Sequence, residues 1–414
     1  MIRRLLLVLL VAVVAPCCCG AARAAVVRPN ALDRRVDKLS SSALLTLPAT
    51  RLVDPDRQVA AERLVNWKLP GWLFGVACEA FALAYFWRSG GAATLRDRLR
   101  RRLRSEAAVR FLFGAALGVL ARLAALPAEF YLYRVERVMG LSIMLARTWG
   151  EYWLGHTLLA AIVAGTIAAV VLWLVDRTHQ WYLYTVGAIV VASVAWAYAA
   201  PYVAMPSRGA PLHGPLAVSL DALLDRAGFR GTPVLVGGGS SPLAGVVLQG
   251  TGSVRRVLIP APLLAGNTQA ETIYHVASAL SADLGKDPFW IALIEAGIVA
   301  LGSALAVVVA DRIGFRRDDD ALSRLALVGA LMAIVYVGAV PVRDFAVRRY
   351  QMGDDAAAVA LTGDRAAAVR AIVRVADQEM REVCPSIAAS AFLDLNAGTG
   401  TRVAAINGVP SACP

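Results

Sequence analysis

The segment Glu271–Asp287 reads ETIYHVASALSADLGKD and carries one histidine, His275. Around it, Ile273, Val276, Leu280 and Leu284 fall three and four apart, which predicts one face of a helix. An imidazole in that setting can be a metal ligand, a packed core residue, or what is left of a site that has lost its chemistry. The other histidines, His156, His179 and His213, are isolated and complete no Ser/His/Asp or Cys/His set. Gly237 to Gly239 resemble a phosphate-cradling loop in composition only. The P-loop Lys and its following Ser/Thr are missing, so the run reads as a flexible turn. Glu295 lies inside the apolar run FWIALIEAGIVALGSAL. A carboxylate within a membrane is costly and marks a functional site or a bonded partner, with Arg122 and Glu79 of other blocks as candidates. Cys384 and Cys413 can form a disulfide if both face an oxidising compartment.

The elements that must position these residues are set by an excess of apolar sequence. Of 414 residues 58% are hydrophobic and only 17% charged, with mean hydropathy +0.59, which indicates an integral membrane protein. Six apolar blocks stand out, at 71–87, 108–127, 153–174, 182–200, 289–310 and 324–342. Trp67, Trp72, Trp87, Tyr131, Trp153, Trp181, Tyr182 and Trp290 flank them, as interfacial aromatics do. Residues 1–24 begin with Arg3 and Arg4, continue apolar and end at Ala22-Arg23-Ala24, the pattern of a signal peptide or signal anchor. Cys17 to Cys19 belong to that segment.

The net charge is +12, but the arginines cluster in RDRLRRRLR (96–104), between two blocks, rather than over one soluble face. This argues against a nucleic-acid partner and for a cytoplasmic loop. Placing it inside puts 201–288 and 346–414 on the opposite side, periplasmic if the membrane is a bacterial inner membrane. The expected organisation is a polar, partly helical lead-in (25–66), four transmembrane helices (67–200), an α/β layer (201–288), two transmembrane helices (289–345) and a C-terminal helical region and tail (346–414). Within the layer, a helix closed by Gly228 precedes strands at 232–237, GVVLQG and VRRVLIP, a turn APLLAG, and the His275 helix from Thr268. The tail after Cys384, with its Gly, Thr, Asn and Pro, is expected to be loosely ordered. The fold class is a multi-pass α-helical membrane protein with a small extramembrane α/β layer.

Several stretches in this order resemble the type I CAAX prenyl proteases, integral-membrane zinc metallopeptidases. They are YLYRVERVMGLSIMLARTWGEYW (131–153), APYVAMP (200–206), GSVRRVLIPAPLLAG (252–266) and RRYQMGDDAAAVALTGD (348–364). The resemblance runs from about residue 67 to 376 and implies a zincin-like layer. In the family the helix corresponding to 268–284 carries His-Glu-x-x-His: two imidazoles one turn apart bind zinc and the Glu acts as base. A Glu of a later helix is the third ligand, with a supporting Asp four residues on.

Here the first His falls at His275, but the Glu position is Val276 and the second His position Ala279. The third-ligand position is Gln351 and the supporting Asp is Asp355. The edge-strand pair that holds substrate backbone aligns with Gly245-Val246. One imidazole and one amide do not make a three-ligand zinc site. The expectation is a catalytically inactive pseudopeptidase, without zinc, that binds a membrane lipid, a peptide or a membrane protein in its cavity. The rival readings are an active peptidase with an atypical site, and a lipid- or solute-handling chamber suggested by Glu295. His275 and Asp355 are expected to approach each other as a structural hydrogen bond.

Overall fold

All six apolar blocks fall within long helices. The computed structural model describes residues 35–142, 144–204, 209–237, 245–315, 320–393, 395–411 and 413. The signal segment 1–24 and most of the glycine loop after Gly237 lie outside the described residues.

After a 3-10 turn Arg35–Lys38 come α1 (Ser41–Thr46), α2 (Ala49–Leu52), α3 (Pro55–Arg88), α4 (Gly91–Arg102), α5 (Glu106–Val138), α6 (Ala146–Arg177) and α7 (Trp181–Ala204). Next are β1 (Ala210–Pro211), α8 (Pro215–Arg226), β2 (Val234–Gly237), β3 (Val247–Gln249), β4 (Arg256–Pro260), α9 (Ala261–Gly266) and α10 (Gln269–Leu284). The chain ends with α11 (Asp287–Phe315), α12 (Ala321–Thr362), α13 (Arg365–Glu379), α14 (Ile387–Phe392) and α15 (Thr399–Asn407). Helices α3, α5, α6, α7, α11 and α12 are long and apolar enough to cross a membrane. Contacts divide the chain into two units.

The first unit holds residues 64–189 and 297–340. In it α5 and α6 approach closely because small residues face each other. A Cβ on Gly114 would stand 2.6 Å from the Ala164 carbonyl oxygen, and one on Gly165 would stand 2.7 Å from that of Phe111. Where lipid removes the hydrophobic drive between helices, such close backbone contact supplies the packing energy. Arg122 forks onto Glu129 within α5, with Nη2 donating to Oε2 at 2.9 Å, and Trp153 Nε1 donates to the same oxygen at 2.6 Å. Arg96 and Arg100 pair with Asp320 at 2.9 and 3.3 Å, so the arginine-rich segment and the start of α12 are tied together.

The second unit holds 190–296, 341–414 and the described part of Pro29–Arg63. Its sheet has the order β1-β2-β4-β3, with β2 and β4 parallel and the other pairs antiparallel. The expected three strands are joined by β1. Central β4 contributes Val257, Leu258 and Ile259, all fully buried. Of these, Val257 and Ile259 pack with Leu220 and Leu223 of α8, Val276 and Leu280 of α10, and Val369 and Ile372 of α13.

The described lead-in is partly helical and joins this core: Val36, Leu44, Leu52 and Val53 are buried in it. One expectation needs correction. The tail after Cys384 is not loose, because Val403 and Ile406 sit on one face of α15 and enter the same core. A Cys384–Cys413 disulfide closes that tail. Helix α12 continues without a break from its apolar block through Gln351 and Asp355, so the boundary expected at 345–346 falls inside a helix.

Candidate functional site

Helix α10 starts with a capping box. Glu271 N–H donates to Thr268 Oγ1 at 3.3 Å, and Thr268 N–H donates to Glu271 Oε2 at 2.6 Å. The other Glu271 oxygen accepts from Arg374 of α13 at 3.0 Å. Both groups are buried, and Arg374 also pairs with Asp37. One carboxylate therefore caps α10 and fastens it to α13, which fixes where His275 stands one turn later.

From α10, Tyr274, His275, Ser278, Ala279 and Ala282 line a cavity of about 500 Å³ within the second unit. Their spacing is one helical face. Opposite them α12 presents Val347, Tyr350, Gln351 and Asp354, again one face. Gly245 and Val246, beside edge strand β3, also line it. His275, Ala279 and Gln351 thus line one cavity.

Val276 does not share it. This residue is fully buried among apolar side chains of the core and is absent from the cavity lining. Ala279 faces the cavity with no donor atom. Gln351 is occupied: Oε1 accepts from the Ala397 N–H at 2.7 Å and its amide meets Asn396 at 2.8 Å. It clamps the tail instead of offering a lone pair. His275 Nε2 is buried and has no hydrogen-bond partner. Burial, then the nearby Arg402 and Arg374 charges, push the His275 pKa down to about 4, so the ring is neutral at physiological pH.

The expected His275–Asp355 hydrogen bond is not made. Asp355 is taken by other groups: Tyr274 Oη donates to Oδ1 at 2.7 Å, and Arg402 donates through Nε to Oδ2 at 2.7 Å and through Nη2 to Oδ1 at 2.8 Å. Burial and the Asp355 charge raise the Tyr274 hydroxyl above its ordinary range, so it stays a donor. Sequence reading missed Tyr274 and Arg402. Arg402 lies in the tail taken as loose, and Tyr274 adjoins the histidine that held attention.

The neutral imidazole and its orphaned nitrogen test the fit of zinc. A single free nitrogen is one ligand, and among the described residues no group of three His, Cys, Asp or Glu is placed to hold a metal ion. The residues present do not fit the group. Glu295 of α11 is half-buried and forms no hydrogen bond or ion pair with another described residue, while Arg122 is paired with Glu129.

Comparison with known proteins follows from this geometry. Residues 72–207 match the family described as CAAX prenyl protease N-terminal, five membrane helices. Among solved structures, the crystal structure of Ste24p from S. mikatae superposes with a TM-score of 0.71 at 16% identity, covering 90% of this chain and 94% of that one. The likeness at that identity is one of fold. No curated protein matches the chain in sequence.

Proposed function

We propose that this chain, whose residues 72–207 match the CAAX prenyl protease N-terminal family and whose fold is that of Ste24p, is a pseudopeptidase, a binding chamber that keeps the fold without the zinc reaction. The cavity beside β3 receives a lipid or peptide ligand from the membrane or its surface. The observation that carries this reading is the state of the would-be ligand positions. His275 alone offers a free lone pair, Ala279 has none, and Gln351 spends its oxygen on Ala397. Val276, at the position of the base, is packed in the core and can move no proton.

The test is metal analysis of purified protein with a peptidase assay over mixed peptide and prenylpeptide substrates. Substoichiometric zinc and no hydrolysis are expected. Stoichiometric zinc that is lost on His275→Ala would overturn the reading, as would metal-dependent cleavage. The rival of an atypical metallopeptidase has no supporting ligand set among the described residues.

A further inference from the structure

Helix α4 joins the end of one apolar span, α3, to the start of the next, α5, and its sides differ in chemistry. Ala92, Leu95, Leu99 and the following Leu103 recur three and four apart. This stripe packs on the core of the first unit with Phe113 of α5 and Leu322 of α12. Arg96 and Arg100 flank it and are held by acids. Arg96 pairs with Asp97 at 2.8 Å and Asp320 at 2.9 Å, and Arg100 with Glu106 at 3.0 Å and Asp320 at 3.3 Å. Asp97, Glu106 and Asp320 are thereby committed to that side.

Arg98, Arg101 and Arg102 make up the other side. They stand at i, i+3 and i+4, so the helix brings three guanidiniums onto one face. All three are exposed, and none forms a hydrogen bond or ion pair with another described residue. Like charges at this spacing weaken a helix. The helix dipole favours cations in a last turn, which accounts for Arg101 and Arg102 but not for Arg98, one turn earlier. The face therefore carries three uncompensated positive charges at a fixed spacing.

We propose that the Arg98–Arg101–Arg102 face of α4 binds the headgroup phosphates of anionic phospholipids. A guanidinium presents a planar fork of N–H donors that matches two phosphate oxygens. Only residues 89–90 and 103–105 separate α4 from the two spans, which holds the free face at headgroup depth and favours a lipid over a nucleic acid or a free anion. The apolar stripe is already used by the protein, so the attraction is electrostatic and needs no insertion of α4 into the acyl region. This site lies in the first unit and is independent of the binding-chamber reading.

The test titrates the full chain in nonionic detergent with dioleoylphosphatidylglycerol and with dioleoylphosphatidylcholine, counting bound lipid by native mass spectrometry. One basic residue near an anionic lipid surface is worth roughly fivefold, so three should make the anionic lipid bind at least about tenfold more tightly. Arg98→Gln/Arg101→Gln/Arg102→Gln should lose this preference and keep its unfolding midpoint. Arg226→Gln/Arg230→Gln/Arg365→Gln removes the same charge from exposed positions of the second unit and should keep the preference. No preference in the unmodified protein, a preference surviving in the first triple variant, or one lost equally in both, overturns the proposal. If the first triple variant does not fold, Arg98→Gln alone should lower the preference about fivefold, and no change in it overturns the proposal. Displacement of the lipid by equimolar inorganic phosphate or by a short oligonucleotide overturns it in favour of a free anion or a nucleic acid. Every one of these failures leaves the chamber reading standing.

Discussion

The Tyr274 hydroxyl donates to Asp355 Oδ1 at 2.7 Å, joining the residue beside His275 on α10 to α12. With Arg402 on the far side, this makes a buried triad. Its two charged members are 4% and 11% exposed at the side chain, so their charges balance each other away from water. Removing one partner therefore costs more than the bond was worth.

The first prediction concerns that triad. Asp355→Ala leaves the Arg402 guanidinium buried without its counter-charge and should cost roughly 3–5 kcal/mol. Tyr274→Phe removes one donor from a carboxylate that Arg402 still satisfies and should cost about 1.5–3 kcal/mol. Thermal and denaturant unfolding in detergent rank the two. A smaller loss for Asp355→Ala than for Tyr274→Phe would show that the ion pair is not the principal tie.

Which parts were legible in the sequence has a physical explanation. Helical periodicity and apolar length placed the spans and the α10 helix, since both signals are local. The facing of His275, Ala279 and Gln351 came from the resemblance, because 3.6-residue spacing alone cannot say what α10 packs against. The Asp355 partner was misjudged for the same reason. Arg402 arrives from 47 positions away along the chain, through a tail whose order depends on the Gln351 clamp and the disulfide. Val276 was expected to stand where the family has its base, and the structure buries it fully in the core.

That burial directs the second prediction, restoration of a metal site. Ala279→His with Gln351→Glu puts donors on the cavity wall beside His275 and should raise zinc binding above that of the unmodified protein. Adding Val276→Glu places a carboxylate in a fully buried apolar position and should destabilise the fold by several kcal/mol, on the order of an unpaired buried charge. Zinc stoichiometry by mass spectrometry and unfolding midpoints check both halves. Failure of the double variant to bind zinc would mean that the wall geometry has drifted from that of a working site.

The third prediction is the pH dependence of stability. His275 has an ordinary value of 6.5 and a folded value of about 4, so the unfolded chain binds the proton first. Its stabilising contribution is complete above about pH 6.5 and is lost as pH falls toward 4, by roughly 3 kcal/mol at most. Asp377 runs the other way. Burial, then the Asp54 charge, raise it from 3.8 to about 7, so its contribution fades as pH rises through that window. The two oppose each other, and wild-type stability alone does not separate them. The His275→Gln variant does: the stability difference, wild type minus variant, should grow as pH rises from 4 to 6.5. A difference that stays flat would place the ring in contact with water.

The fourth prediction joins the disulfide to membrane orientation. Cys384 and Cys413 are bonded across 29 positions, and Cys413 packs against Val383 beside α15. Loop closure of that length contributes about 2–4 kcal/mol, so reduction should lower the unfolding midpoint and loosen α15 first. Such a bond persists on the oxidising side of a membrane. The arginine-rich segment 96–104 argues for the same orientation, because it favours the cytoplasm and is tied by Arg96 and Arg100 to Asp320 in the other loop expected inside. Reporter fusions at Gly252 and Gly363 should therefore behave as exported, and a fusion within 96–104 as cytoplasmic. Thiol labelling before and after reduction should detect Cys384 and Cys413 only after it. If both fusions report the cytoplasm, the orientation reverses, and the thiols should then be labelled without reductant in intact cells.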